Sequence, residues 1–195
     1  MKLMWTGSDV LFCTRYPKHS KKSKYIYMFC LRIFARIADY FIEGHYVVSE
    51  HLRAELEPLK FKKPIKVQAN PPIYTKPVKK IPHKVFNILY YRGLGSNQRF
   101  HDWVYGHDVM MMVMEIFEDD YIHLIEVNGI NDMSKIYPFV DFMVRPNRHD
   151  GNPRMVMECE INEIPYYCSK SDPNPSEIIR MIKHEISLQK AQNQI

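Results

Sequence analysis

The chain has 195 residues, of which 46% are apolar and 25% are charged. This composition excludes a protein that is disordered over most of its length. The net charge of +5 is uneven, because residues 1–100 hold 19 Lys/Arg against 6 Asp/Glu and residues 101–195 hold 8 against 16. The four cysteines lack the C-x-x-C spacing of zinc or redox motifs, which fits a reducing compartment such as the cytoplasm. The polar residues soon after Lys2 are atypical of a signal peptide.

The first predicted helix covers residues 24–42, where apolar side chains recur at spacings of three and four. Charged residues interrupt this run, which excludes a membrane-spanning helix. Five basic residues lie between Arg15 and Lys24, just before the helix. A basic segment joined to an amphipathic helix can bind an anionic bilayer, so one interpretation is peripheral membrane contact through residues 15–42. The alternative is that the apolar stripe packs in the core.

A short apolar run at residues 46–49 precedes a predicted helix from Glu50 to Leu59 and a predicted strand at residues 65–69, and proline marks the part of the chain that follows. Six prolines and no acidic residue lie between positions 58 and 82. Proline at this density disfavours helices and central strands, so a linker is predicted there.

From residue 85 onwards, short apolar runs alternate with helical patterns. Strands are predicted at residues 85–92, 121–127, 141–146 and 164–168, with one helix over residues 103–117 and a last helix capped by Ser176. This alternation predicts an α/β fold, a doubly wound parallel sheet with helices on both faces. The predicted parts are a reduced N-terminal α/β portion, a Pro/Lys-rich linker, a Rossmann-like domain and a C-terminal helix, at residues 1–70, 71–84, 85–175 and 176–195.

Ligands bind to such sheets at the carboxyl ends of the strands. The loop YYRGLGSNQRF follows the first of these strands, and in it Arg92 and Arg99 offer positive charge while Gly93 allows close backbone approach. The alternative is an ordinary structural turn.

The second candidate loop is RHDGNPRMVMECE, which leads from a strand into a helix beginning near Pro153. The free amides of that first helical turn favour an anion or a sugar oxygen. Asp150 precedes the turn, and Glu158 follows eight positions later among apolar neighbours. Glu158 therefore needs a polar partner, either ligand hydroxyls or Arg154 one helical turn earlier.

The segment D-G-N-P-R-M-V-M-E resembles the E-x7-E signature of retaining, nucleotide-sugar-dependent glycosyltransferases of the two-Rossmann-domain (GT-B) class, group 1 family, with Asp150 in place of the first Glu. Two further segments match the family in the same order along the chain. The first strand of the family's nucleotide-sugar domain is similar to NILYYRGLG, and the segment that leads to the strand before the signature is similar to DMSKIYPFVDFMVRP. The family's Lys after Arg92 is absent, and Arg99 is a candidate substitute. The family's first domain is reduced here to about its last third, so a partner chain or a homo-oligomer could complete it.

The resemblance implies transfer of a sugar, with retention, from a nucleotide-diphosphate sugar to a glycan, lipid or protein acceptor. It implies a hexosyltransferase-like enzyme of the cytoplasm or the cytoplasmic membrane face that needs no metal or cofactor. Arg92 and Arg99 would hold the diphosphate, Asp150 the sugar hydroxyls and Glu158 the ribose. The site implied in this way comprises Arg92 and Asp150 as catalytic residues and Gly93, Arg99, Gly151, Asn152, Arg154 and Glu158 as substrate-binding residues.

Two other functions fit parts of the sequence. A catalytically silent nucleotide- or sugar-binding module would keep the fold, and the shortened first domain favours it. A nucleic-acid binder would use the basic first half, but no binding motif supports it and no nucleic acid is expected. His19 and His45 are expected on the surface, with an acceptor site as the alternative, and residues 118–120 are expected to be a solvated helix end instead of a metal site.

Overall fold

The computed structural model describes most of the chain, namely residues 2–5, 10, 13–14, 22–68, 76–93, 98–117, 121–128, 132–149, 153–169 and 171–192. The chain divides into two compact units. Unit 1 comprises residues 1–72 together with 149–152, and unit 2 comprises residues 73–148 and 153–195.

Unit 1 contains a three-stranded parallel sheet in the order β1-β2-β3. Its elements are β1 (Lys2–Trp5), α1 (Lys22–Ala38), β2 (Gly44–Val47), α2 (Glu50–Leu56) and β3 (Ile65–Val67). Strand β1 was not predicted. Helix α2 begins after Ser49, whose Oγ accepts a hydrogen bond of 3.4 Å from the Leu52 amide, and it continues as a 3-10 turn to Leu59.

A buried polar chain crosses the core of unit 1. Trp5 Nε1 donates to His45 Nδ1 at 3.0 Å, and His45 Nε2 lies 3.1 Å from Asp39 Oδ1. Since the indole nitrogen can only donate, Nδ1 must accept, and the His45 proton is on Nε2. Asp39 also accepts hydrogen bonds from the Lys62 and Lys63 amides at 2.5 and 2.9 Å. The prediction of a surface position for His45 is therefore wrong, because the ring is fully buried.

Helix α1 presents a large apolar face to solvent. Phe29 and Phe34 are 66% and 60% exposed, whereas Met28, Ala35 and Ala38 form the buried side. The core interpretation of the apolar stripe is therefore wrong. We call this exposed surface the α1 apolar face, and it consists of Ile26, Phe29, Ile33, Phe34 and Ile37. Within the described ranges, the structure has no helix that combines the length and the apolar character needed to cross a bilayer.

Unit 2 contains a four-stranded parallel sheet in the order β5-β4-β6-β7. Its strands and helices are β4 (Phe86–Tyr91), α3 (Gln98–Val104), α4 (His107–Glu115), β5 (Ile122–Val127), β6 (Phe142–Arg145), α5 (Arg154–Ile161), β7 (Tyr166–Cys168) and α6 (Pro175–Gln192). Two 3-10 turns, Met133–Lys135 and Tyr137–Phe139, lie between β5 and β6.

The sheet of unit 2 is covered on both faces. Phe86, Ile88 and Tyr90 pack with buried residues of α4 and α6. Leu89 points the other way and packs with Tyr137 and Cys159, because successive side chains of a strand alternate between faces. The predicted α/β, Rossmann-like parallel fold is confirmed.

Two local predictions in unit 2 were wrong. The helix expected over residues 103–117 breaks into α3 and α4 at Gly106, whose φ of 65° ends the first helix. A Cβ at this position would collide with the Pro146 carbonyl oxygen, so glycine is required. Ser176 is not the cap of α6, since Asn174 Oδ1 accepts hydrogen bonds from the Ser176 and Glu177 amides at 3.1 and 3.4 Å. Pro175 then occupies the first helical position.

Candidate functional site

The predicted site residues follow two neighbouring strands of unit 2. Strands β4 and β6 are parallel and paired, so their carboxyl ends meet at one edge of the sheet. Arg92 directly follows β4, and α5 follows β6. Asp150, Gly151 and Asn152 lie outside the described residues, as do His19 and residues 118–120.

The Arg92 guanidinium is engaged by two carboxylates. Its Nε and Nη2 atoms lie 2.9 and 3.4 Å from the two oxygens of Asp102, and Nη1 lies 3.5 Å from Glu126 Oε1. The hydrogen bond from Arg92 lowers the pKa of Asp102, which therefore stays ionised. A phosphate bound by Arg92 would compete with these carboxylates for the same donors.

The backbone after β4 requires glycine at position 93. Gly93 is buried with a φ of 72°, and a Cβ there would collide with the ring of Tyr105. Arg99 is exposed on α3, and Arg154 is exposed at the start of α5. Gly93 thus has a steric role that the loop pattern alone did not identify.

Glu158 is half-buried on α5, and its Oε2 accepts a hydrogen bond from the Tyr137 hydroxyl. Burial and this hydrogen bond raise the pKa of Tyr137, so its hydroxyl stays protonated and acts as the donor. The polar partner of Glu158 is therefore Tyr137, and not Arg154 as one reading of the sequence proposed.

A cavity of about 320 Å³ opens beside Glu158. Its size falls in the range of small-molecule sites. Three parts of unit 2 line it: the segment before the sheet, the segment after β5, and α5 with the residue that follows it. The lining residues are Lys76, Pro77, Val78, Asp132, Met133, Ser134, Tyr137, Glu158 and Asn162. Arg92 does not belong to this lining, so the cavity collects one predicted site residue, Glu158.

Lys76 is a positively charged lining residue that the sequence interpretation missed, because it lies within the predicted linker. The segment from Lys76 onwards is hydrogen-bonded and ion-paired to other parts of unit 2. The Val78 amide donates to Asn162 Oδ1 at 2.8 Å, Lys80 Nζ lies 2.6 Å from Asp141, and the Ile81 amide donates to the Pro138 carbonyl at 2.8 Å. Proline density predicted the absence of helix and strand here, but it gave no signal of these contacts.

Arg145 is a second missed cation, buried at the end of β6. Its guanidinium carbon lies 5.4 and 5.8 Å from the ring centroids of Tyr91 and Tyr105, and Nη1 lies 3.8 Å from Met155 Sδ. The aromatic faces attract the cation and compensate part of its burial. The sequence run DFMVRP indicated a strand but not the direction of this side chain.

Comparison with known proteins identifies the fold. No protein-family model matches the sequence, and no curated protein matches it. Among solved structures, Anabaena Alr3699/HepE in complex with UDP and glucose is similar with a TM-score of 0.60 and 12% identity, covering 95% of this chain and 62% of that one. The lipopolysaccharide outer core galactosyltransferase WaaB, in its apo form, gives a TM-score of 0.46 at 13% identity, covering 76% and 49%.

The fold is α/β and Rossmann-like, of the GT-B type, with parallel sheets and flanking helices in both units. At 12% identity, the likeness to HepE shows the fold alone. This chain spans about three fifths of the HepE chain.

Proposed function

We propose that the protein is a glycosyltransferase that transfers a sugar from a nucleotide-diphosphate sugar to a glycan, lipid or protein acceptor. The observation that carries the proposal is the cavity beside Glu158. Glu158 stands on the helix after β6, where the signature D-G-N-P-R-M-V-M-E has its second acid, and it lines a cavity of about 320 Å³. A GT-B fold makes this carboxylate a candidate for holding the donor nucleotide.

The chemistry of the lining suits a nucleoside. An ionised carboxylate accepts strong hydrogen bonds from vicinal hydroxyls such as those of ribose. The Tyr137 hydroxyl occupies one oxygen of Glu158 and fixes the carboxylate's orientation, which leaves the other oxygen for a ligand. Lys76 adds a positive charge to the lining of the same cavity.

For the diphosphate, we propose that Arg92 and Arg99 act at the end of β4, together with the free amides at the start of α5. In the transfer, the bond between the anomeric carbon and the diphosphate oxygen breaks. The acceptor oxygen bonds to the same face of that carbon, and its proton leaves with the diphosphate. Fixed cations stabilise the negative charge that develops on the leaving group. Asp102 and Glu126 hold the Arg92 guanidinium in one orientation before the donor binds.

The remaining parts of this proposal come from the resemblance to the GT-B signature. Asp150 holds the sugar hydroxyls, Gly93 permits the donor's close approach, and no metal or cofactor takes part in the transfer. Retention of the anomeric configuration and a cytoplasmic location belong to the same proposal.

Turnover assays test the proposed function. The purified chain is incubated with labelled UDP-, ADP-, GDP- and dTDP-sugars, starting with UDP-glucose because HepE was crystallised with UDP and glucose. We expect donor hydrolysis or transfer that is lost in Glu158→Ala and kept in Glu160→Ala. Glu160 is a matched control, because it lies on the same helix but is exposed and accepts a hydrogen bond from the Tyr166 hydroxyl. Nucleotide binding without turnover of any donor would favour the silent binding module.

We further propose that the α1 apolar face contacts an anionic membrane surface. Apolar side chains at spacings of three and four form a continuous exposed stripe, and Arg32 and Arg36 line an apolar cavity of about 250 Å³ with Phe29 and Ile33. The basic segment at residues 15–24 precedes it in the sequence. Apolar surface beside basic residues favours a bilayer that carries negative charge.

Vesicle flotation tests this contact. We expect wild-type protein to float with vesicles that contain 30% phosphatidylglycerol more than with neutral vesicles, and Phe34→Glu to stay in solution. Met111→Glu, an exposed apolar position in unit 2, is the control and should float like wild type. Equal binding of the Phe34→Glu variant would contradict the proposal, and a wild-type dimer that Phe34→Glu dissociates would instead favour a partner chain on this face.

A further inference from the structure

Two histidines and a glutamate converge in unit 1. His51 and Glu55 lie one turn apart on the same side of α2, and His149 is part of unit 1. His51 Nε2 lies 3.3 Å from Glu55 Oε1, and His149 Nε2 lies 2.8 Å from Glu55 Oε2. The side chains of His149 and Glu55 are only 2% and 8% exposed. Both imidazoles therefore direct Nε2 at one buried carboxylate.

We propose that this cluster, His51, Glu55 and His149, binds one divalent transition-metal ion of the zinc type. Imidazole nitrogen and carboxylate oxygen are zinc ligands, with bond lengths of about 2.0–2.2 Å. Tetrahedral geometry at those lengths places ligand atoms about 3.4 Å from one another. The candidate ligand atoms all lie within 4.8 Å of one another, and the His51–Glu55 pair is already at 3.3 Å. The His149–Glu55 hydrogen bond would open by about half an ångström as the metal replaces its proton.

The surroundings of the cluster support a site with an open coordination position. The Thr14 hydroxyl donates to the Val10 carbonyl at 2.8 Å, and its oxygen lies 3.5 Å from Glu55 Oε2. A cavity of about 480 Å³ is lined by Thr14, His51 and Glu55 together with Ala54, Pro58 and Leu59. Three protein ligands beside such a cavity leave the fourth position to water or a small anion.

This inference stands apart from the proposed sugar transfer, and it departs from the prediction that the protein binds no metal. The i, i+4 pair His51 and Glu55 is visible in the sequence, but one such pair is too common to indicate a metal. The third ligand, His149, comes from a segment 94 positions after Glu55, which only the fold brings into reach.

Cobalt titration of the full, metal-free chain tests the proposal. Bound Co²⁺ in a four- or five-coordinate N/O site gives visible d–d absorption, which Zn²⁺ should remove by competition. We expect saturation at one Co²⁺ per chain, and at least a tenfold loss of affinity in His51→Ala and in His149→Ala. His184→Ala, which removes an exposed histidine of α6, should bind Co²⁺ like wild type.

Folding is checked separately, because His149 is buried. Circular dichroism of each variant shows whether it folds, and His51→Gln provides a milder change at the more exposed position. Zn²⁺ should raise the melting temperature of the wild type and leave that of His51→Gln nearly unchanged. The proposal is overturned if wild-type protein shows no saturable Co²⁺ spectrum, which would leave a hydrogen-bonded cluster only. It is overturned equally if folded His51→Gln and His149→Ala bind Co²⁺ like wild type.

Discussion

The two units differ in how completely they cover their apolar surface. In unit 2, five of the six residues of β4 are buried, and helices pack on both faces of the sheet. In unit 1, α1 exposes its largest apolar side chains, and β3 is mostly exposed. Burial of apolar surface is the main favourable term in folding. The sheet of unit 2 is therefore covered by helices of the same unit, whereas the α1 apolar face of unit 1 favours contact with a further surface.

The largest effect is expected at Gly106 in unit 2. Gly106→Val forces a side chain into the left-handed region and against the Pro146 carbonyl, so we expect a loss of about 3 kcal/mol or more in the free energy of unfolding. Met112→Ala, at an exposed position of α4, is the control and should cost less than about 1 kcal/mol. Urea titration followed by circular dichroism measures both. A Gly106→Val variant as stable as the control would contradict the tight packing assigned to unit 2.

The next effect is expected in the buried polar chain of unit 1. Asp39→Ala removes the acceptor of the Lys62 and Lys63 amides and of His45, and we expect a loss of about 2–4 kcal/mol. Asp172→Ala, at an exposed position, is the control and should be nearly neutral. A small effect of Asp39→Ala in the same urea titration would mean that unit 1 is loosely ordered around Asp39.

The pH dependence of unit 1 follows from the same residues. Burial lowers the pKa of His45, and although burial alone would raise the pKa of Asp39, its hydrogen bonds from two amides and His45 lower it. Groups with a lowered folded-state pKa bind protons more readily when unfolded, so stability falls as pH falls. The loss should begin below about pH 6.5, the usual pKa of histidine, and continue through the range of Asp39. Urea titrations between pH 8 and 2.5 should show this fall, and Asp39→Ala should reduce the part of it that lies below about pH 5.

The smallest effect on stability is expected at the α1 apolar face. Phe34→Ser should change the free energy of unfolding by less than about 0.5 kcal/mol, because Phe34 is already exposed. Met28→Ala on the buried side of the same helix should cost about 2–4 kcal/mol. Equal losses of unfolding free energy for Phe34→Ser and Met28→Ala would show that the α1 apolar face is covered in solution. Sedimentation analysis would then show whether a second copy of the chain covers it.

Sequence patterns predicted regular elements well and side-chain partners poorly. Apolar runs gave the four strands of unit 2, and the signal is strongest for β4 and β6, which are buried on both faces and read as continuous apolar stretches. The apolar periodicity of α1 gave the helix but not its orientation, since spacing shows that a face exists and not what covers it. The lack of space for a side chain at Gly106 comes from Pro146, a residue 40 positions away, which local propensity cannot sense.

At the candidate site too, the sequence indicated a residue but not its side-chain partners. The spacing of acids pointed to Glu158, and the fold places it beside a cavity. Its partner Tyr137 and the neighbouring Lys76 come from other parts of the chain, so no local motif indicates them. The ion pairs of Arg92 with Asp102 and Glu126 are equally non-local.

Calorimetric titration with UDP, ADP, GDP and dTDP tests the central claim, which is that Glu158 holds a nucleotide in unit 2. The account predicts that wild type binds at least one of these diphosphates with one site per chain. It predicts that Glu158→Gln weakens that binding at least tenfold, about 1.4 kcal/mol, and that Glu160→Gln binds within twofold of wild type. Absence of binding for all four nucleotides, or unchanged affinity in a folded Glu158→Gln variant, would contradict it.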